Sequence, residues 1–152
     1  MVHVGQVPLG GGAPVTIQSM TNTDTRDAAA TVEQIHRLEA AGCEIVRSAV
    51  FDMNAARAVR DIVDKITVPL VADVHFDYRL AIAAVENGCR KLRINPGNIG
   101  APDRVKAVVD CCKAHHSPLR IGVNGGSLNK ESRSNHPDDP VAAMVESALD
   151  HV

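Results

Sequence analysis

Two hexapeptides restrict the architecture of this chain more than any other feature. Gly42-Cys43-Glu44-Ile45-Val46-Arg47 and Gly88-Cys89-Arg90-Lys91-Leu92-Arg93 carry glycine, cysteine and arginine at the same offsets. In each, glycine closes an amphipathic run, and a short apolar stretch ending in arginine follows. Glycine adopts the left-handed backbone that stops a helix, and a brief β-rich run after it reads as a strand. The chain therefore repeats a helix-turn-strand unit, and few architectures accept that repeat.

The same unit can be followed in both directions. Val15 and Ile17 lead into QSMTNTDTRD, a polar segment rich in helix-starting residues. A helix is expected from about Asp27, with Val32, Ile35 and Leu38 on one face and Gly42 ending it. Ile45 to Val50 reads as a strand carrying Arg47. Asp52 then caps a helix whose apolar face is Ala56, Val59, Ile62, Val63 and Ile66. Val68 to His75 is the next strand, and Asp77 caps a helix holding Ile82 and Val85 that Gly88 ends. Leu92 to Asn95 forms a strand that breaks into a glycine-rich turn. Pro102 sits in the first turn of a helix with Val105, Val108, Val109 and Cys112 inward. Leu119 to Asn124 follows as a strand, then the polar loop GGSLNKESRSNHPDD. Pro140 opens a last helix with Val141, Met144, Val145 and Ala148 on its buried face. Ahead of the repeat, residues 2 to 17 read as two short strands around Gly10-Gly11-Gly12, bounded by Pro8 and Pro14. That triplet lacks the Lys-Ser/Thr of a phosphate-cradling loop, so its expected role is to turn the chain.

Strands thus alternate with helices about five times, at a spacing comparable to the ~31 residues per unit of a (β/α)8 barrel. The strands are apolar on both faces in their first halves, as parallel strands covered by helices should be. A full barrel needs about 250 residues, and this chain has 152. The expected class is α/β: a (β/α)8 TIM-like barrel truncated after about five β/α units. A doubly wound five-stranded sheet is the alternative. In a barrel, alternate strands share an interior layer, which predicts Arg47 and Arg93 at one height.

Side chains two apart on a strand share a face. Asp73 and His75 form one such pair, Arg93 and Asn95 another. Arg120 and Asn124 form a third, with Gly122 between them leaving room. All lie toward C-terminal strand ends, where α/β active sites are assembled. Three arginines in one enclosed space need compensating anions. A diphosphate fits, because guanidinium groups bind phosphate oxygens bidentately and keep their charge when partly buried. The plainer alternative is a structural network in which Arg47, Arg93 and Arg120 pair with Asp73 and nearby carboxylates. His75 is a candidate general acid or hydrogen-bond donor to a substrate oxygen, and Asp73 is its companion candidate for a catalytic role. Cys111 and His115, like Cys112 and His116, stand one helical turn apart, a zinc-ligand spacing. A complete site needs about four ligands, and Cys112 falls on the apolar face, so no metal site is expected. His3, His36, His136 and His151 are expected to face solvent.

Composition narrows the partners. Aromatic residues are 2% of the chain and Trp is absent, too few for the stacking platforms of single-strand nucleic-acid binders. A formal net charge of -2 does not supply a broad phosphate-backbone footprint, so no nucleic-acid partner is expected. The N-terminal MVHVGQVPLGGGAP has neither a basic n-region nor a long apolar run. No stretch approaches the roughly 20 apolar residues of a membrane span. A cytoplasmic location with no membrane partner is expected. The four cysteines form no CxxC pair, which fits a reducing compartment.

QSMTNTDT, IVRSAV, PLVADVHFDYRLA, LRINPGNIG and LRIGVNGGSL, in this order over essentially the whole chain, resemble the N-terminal barrel of the 4-hydroxy-3-methylbut-2-enyl diphosphate synthase family. The resemblance implies that residues 1-152 form a partial TIM-barrel substrate-binding domain, with the C-terminal iron-sulfur domain absent from this chain. It implies a place in the non-mevalonate isoprenoid pathway. The family opens the ring of 2-C-methyl-D-erythritol 2,4-cyclodiphosphate reductively and removes a hydroxyl. Electrons come from ferredoxin or flavodoxin through a [4Fe-4S] cluster. By resemblance, Arg47, Arg93 and Arg120 hold the diphosphate, while Asp73, His75, Asn95 and Asn124 contact or orient the substrate. Family members are homodimers in which one chain's cluster domain closes over the other chain's barrel. Cys43, Cys89, Cys111 and Cys112 match none of the family's cluster ligands, three cysteines and a glutamate of the C-terminal domain. The last barrel strands, and the lysine that the family places after strand five, are also missing. Gly125 stands where related sequences often carry alanine. The expectation is a fragment that supplies part of the diphosphate-binding barrel and is inactive alone. A dihydropteroate synthase-like pterin-binding barrel and a non-catalytic anion-binding fragment are the competing readings.

Overall fold

The structure, a computed structural model, describes residues 1–128 and 130–150. His151 lies outside the described residues. The chain begins with a hairpin of β1 (Val2–Val4) and β2 (Val7–Leu9), paired antiparallel with Val4 opposite Val7. Its two-residue turn is Gly5-Gln6, not the expected glycine triplet. A tight hairpin turn needs positive φ, and Gly5 supplies it at φ 59°. Gly10, Gly11 and Gly12 only lead the chain away from β2.

Alternating elements follow: β3 (Gln18–Met20), α1 (Ala28–Ala40), β4 (Ile45–Ala49), α2 (Met53–Val63), β5 (Leu70–Val74), α3 (Tyr78–Glu86), β6 (Lys91–Ile94), α4 (Pro96–Ile99), α5 (Pro102–Ala114) and β7 (Leu119–Ile121). Beyond them lie a 3-10 turn (Gly125–Ser127), α6 (Lys130–Asn135) and α7 (Pro140–Leu149). The helix starts are set by side chains that accept orphan backbone N–H groups. Asp27 accepts from Ala30, Asp52 from Ala55, Asp77 from Arg79 and Asp139 from Val141 and Ala142. Gly42 and Gly88 follow α1 and α3 at φ 89° and 97°.

The strands β3-β4-β5-β6-β7 form one parallel sheet in sequence order. A doubly wound sheet reverses its strand order at a switch point. This sheet does not, so that alternative is excluded. Consecutive helices pack on one another, α1 on α2, α2 on α3 and α3 on α5, which keeps them on one side. Between sheet and helices lies the main core. Val46, Ala72, Val74, Leu92 and Ile94 from the strands meet Ile35, Val59, Ile62, Ala81 and Val108 from the helices. Each buried aliphatic side chain there contributes roughly 1.5–3 kcal/mol.

The opposite, inner face is divided. At its N-terminal end Ile45 and Val71 pack with Val4 under the hairpin, with Val7 and Leu9 partly buried beside them. At its C-terminal end the inward residues are polar.

Several expected boundaries shift. The glycine-rich turn expected in LRINPGNIG is one helical turn, α4. Asn95 caps it and Gly97 N–H donates to the Asn95 side chain at 3.2 Å. The strand expected to reach Asn124 ends at Ile121, and the polar loop after it contains α6. The face expected to be buried on α7 is met only in part, with Met144 and Ala148 half-buried. Ala143 and Ser147 are buried, whereas Val141 and Val145 are 63% and 54% exposed. The residues of that helix that face the core most closely are its small ones.

Candidate anion-binding site

Asp73 is the hub of the site. Strand β5 is buried along its whole length, and its pleat turns Asp73 inward between β4 and β6, opposite Ala49 and Arg93. The carboxylate is 4% exposed, and three cationic or protonatable groups face it. Arg93 Nη1 donates to Asp73 Oδ1 at 3.1 Å. Arg47 Nε lies 3.5 Å from Oδ2 and His75 Nε2 3.4 Å from Oδ1. Lone pairs that burial strips of water are thus shared among strand neighbours, as a buried carboxylate requires.

Arg47 and Arg93 are not level in the ladder. Arg47 is in register with Val71, which is opposite Lys91, while Arg93 is in register with Asp73 and Arg120. The arginines therefore sit two residues apart in register, and their long side chains close the gap at Asp73. Arg120 is exposed, stands beside Arg93 on β7 and makes no ion pair among the described residues. Two guanidinium groups thus face one carboxylate with a third arginine beside them, and the structural-network reading, which needs more nearby carboxylates, is not met at Arg120.

Asn95 and Asn124 belong to turns at the same end. Asn95 is buried, and its side chain caps α4. Asn124 is exposed and sits past the end of β7 in the turn where Gly126 N–H donates to its Oδ1 at 3.0 Å. It does not share a strand face with Arg120 as the spacing implied.

Some contributors were not singled out in the sequence. Met20 Sδ receives Arg47 Nε and Nη2 at 3.3 and 3.2 Å, fixing that side chain from β3. Lys91, one pleat below Arg93, has its ammonium held below the usual lysine range by burial and then by Arg120. Thr21 and Ser48 share a buried hydroxyl bond at 2.9 Å, and Thr25 donates to Ala49 O at 2.7 Å. Those contacts tie the QSMTNTDT segment to β4. The clue was the run of hydroxyl residues after a strand, which supplies local donors for exposed backbone carbonyls.

Beside the hub a cavity of about 570 Å³ opens between the ends of β4 and β5. Asp73 and His75 border it on one side, Phe51, Met53, Phe76 and Leu80 on the other. A larger cavity of about 1080 Å³ lies at the other end of the strands, against His3, Cys43, Arg60, Cys89, Arg90 and His116. None of the site residues expected from the sequence borders it, so size is a poor guide to chemistry here.

An iron-sulfur cluster needs several thiolates gathered on one site, and among the described residues the cysteines take part in no group of three or more metal-ligating side chains. Burial, and next the neighbouring Cys112, push the Cys89 thiol up to about 12. Burial does the same for Cys112, up to about 11. Cys111 Sγ lies 3.8 Å from His115 Nδ1, but that nitrogen also faces Cys111 O at 3.0 Å. Among the described residues no group of three or more His, Cys, Asp or Glu side chains could hold a metal ion. Of the histidines expected in solvent, His3 and His36 are exposed, though His36 Nε2 meets Lys65 O at 2.9 Å. His136 departs from expectation: it is half-buried and meets Glu146 Oε2 at 2.6 Å. No helix among the described residues is long and apolar enough to cross a membrane.

Comparison with known proteins places this geometry in a family. The family model of the GcpE TIM-barrel domain matches residues 1–152. Among curated relatives, 4-hydroxy-3-methylbut-2-en-1-yl diphosphate synthase (flavodoxin) of Clostridium perfringens is 58% identical over 99% of this chain and 43% of its own length. The protein of the same name from Pseudomonas fluorescens is 57% identical over 99% of this chain and 41% of its own length. The chain therefore spans less than half the length of these relatives. A crystal structure of mandelate oxidase superposes with a TM-score of 0.46 at 15% identity, covering 84% of this chain and 52% of that one. Likeness at that level carries no argument. The match of the barrel-domain model to residues 1–152, with more than half of the aligned positions identical in those relatives, means that the chain belongs to the GcpE TIM-barrel family.

Proposed function

We propose that this chain supplies the diphosphate-binding wall of a 4-hydroxy-3-methylbut-2-enyl diphosphate synthase, with 2-C-methyl-D-erythritol 2,4-cyclodiphosphate as the substrate. The observation that carries the proposal is the charge imbalance around Asp73. Arg47 and Arg93 share one buried carboxylate, and Arg120 stands next to Arg93 with no ion pair among the described residues. A diphosphate offers the missing negative charge in a form that guanidinium forks match.

In this reading Arg120 makes the first contact, being exposed. Asp73 takes one edge of Arg93 and orients the rest of that guanidinium toward the ligand. Met20 does the equivalent for Arg47. His75, half-exposed and 3.4 Å from Asp73, donates a hydrogen bond or a proton to a substrate oxygen. Asn95 and Asn124 shape the turns bordering the ligand. The apolar side of the cavity at Phe51 and Phe76 receives the carbon skeleton.

Residues 1-152 form five strands of a barrel wall in this proposal, and the sequential strand order with all helices on one side supports that assignment. The [4Fe-4S] cluster that supplies the electrons is held by a C-terminal domain outside this chain, reduced by flavodoxin or ferredoxin. The enzyme works in the cytoplasm as a homodimer. This chain alone binds but does not turn over.

Calorimetric titration with the cyclic diphosphate, set against pterin diphosphate, tests the proposal. Saturable binding of the first that Arg120→Ala weakens is expected. Preference for the pterin ligand would transfer the site to the dihydropteroate synthase-like reading. A brown, active protein after anaerobic reconstitution would overturn the assignment of the cluster to another domain.

A further inference from the structure

Gly122 immediately follows β7, and its N–H donates to Ile94 O at 2.8 Å, so it continues the pairing with β6. Its φ lies outside the left-handed region, unlike that of Gly42 or Gly88. The backbone at this position therefore admits any L-residue, and the need for glycine must come from elsewhere. An ideal Cβ placed there would meet Arg93 Nε at 2.5 Å, Nη2 at 2.6 Å and Cζ at 2.8 Å. Real Cβ atoms do not approach other atoms that closely, and the obstructing group is the far end of a flexible side chain. A methyl group would displace the guanidinium and leave the backbone where it is.

We propose that Gly122 is a positioning residue: its bare backbone is the seat on which the Arg93 guanidinium rests, and the seat fixes the direction in which Arg93 presents its N–H groups. Asp73 holds Arg93 through Nη1 at 3.1 Å, and the Nε–Nη2 edge lies over Gly122. The carboxylate and the glycine together leave one orientation. A side chain at 122 would push the guanidinium away from Asp73, leave that carboxylate short of its closest cationic partner and misdirect the charge. The ligand-binding consequence rests on the diphosphate reading of the site, whereas the seat itself does not.

The test uses the 152-residue chain, with inorganic pyrophosphate as the probe for calorimetry. Arg93→Ala, Gly122→Ala and the double variant are compared with the parent, and the Arg93 Nε–Hε signal is followed by 15N-resolved NMR. Gly122→Ala should weaken pyrophosphate binding about ten-fold, the scale of one lost charge-assisted contact. It should also move the Arg93 signal, and the double variant should bind no worse than Arg93→Ala alone. Unchanged affinity in Gly122→Ala, or losses that add fully in the double variant, would overturn the proposal. If the parent fails to bind pyrophosphate, the diphosphate reading falls; the NMR shift then decides for the seat, and an unmoved signal decides against it. If Gly122→Ala does not fold, the double variant should fold, because the obstructing arginine is gone. A double variant that also misfolds would refute the steric fit.

Discussion

The two faces of the sheet are made from the same five strands at alternating positions, yet they are governed by different terms. Leu92 and Arg93 are chain neighbours on β6. Leu92 points into the dry layer under the helices and is fully buried. Arg93 points to the inner face, where a side-chain exposure of 16% and one carboxylate partner leave it charged and constrained. The helix side is held by close packing and has no spare valence. The inner side concentrates cations around Asp73 and is left electrostatically incomplete. In the proposed reading stability resides mainly on one face and recognition on the other, and substitutions should separate them.

The largest expected effect is on the helix side. Leu92→Ala removes a fully buried side chain and should destabilise the fold by about 3 kcal/mol through transfer and cavity terms, read from urea unfolding. Asp73→Ala should cost less, about 2 kcal/mol. It strands Arg93 and Arg47, but both reach enough water to recover part of their hydration. If Asp73→Ala proved the more damaging of the two, the contrast between the faces would fail.

A smaller effect is expected at Glu39. Burial works to raise its carboxyl, but the N–H groups of Val68 and Thr67 and the Thr67 hydroxyl more than offset that, so its affinity for protons is lowered from the usual 4.5. The stabilisation is complete above that value and is lost as pH falls through the lower folded-state value. Glu39→Gln should lower the melting temperature at pH 7, where this contribution is complete, and flatten this part of the acid limb between about pH 5 and pH 3, so that the two proteins converge at the acid end. Smallest in stability is Arg120→Ala, within about 0.5 kcal/mol. The same change should reduce pyrophosphate affinity about ten-fold, measured by calorimetry at low salt. A variant that lost stability rather than affinity would move Arg120 from recognition to structure.

Much of this was legible from residue spacing. Asp27, Asp52 and Asp77 announced helix starts because each cap is a local interaction between a side chain and a backbone only two or three residues away. Gly42 and Gly88 announced helix ends for a similarly local reason. The convergence on Asp73 followed from strand alternation, since period two alone puts Asp73 and His75 on one face. What escaped depends on the third dimension. Met20 became a partner of Arg47 only through the β3–β4 pairing. Gly122 was read as spare room, and that room is filled by Arg93 from the neighbouring strand. On α7 only Met144 and Ala148 of the expected face turn toward the core, because apolar periodicity reports that a helix has an apolar side without reporting how far that side is covered. The Gly5 turn was masked by the more conspicuous triplet at Gly10.

The hairpin at the start of the chain has a consequence for how the molecule comes together. Val4 finds its partners at positions 45 and 71, so the hairpin must wait for β4 and β5 before it can dock. The strand-helix units, by contrast, join neighbours as they are made. The beginning of the chain is thus a late arrival in folding, and an N-terminal extension that hinders its return would leave Ile45 and Val71 wet while the helix layer forms normally.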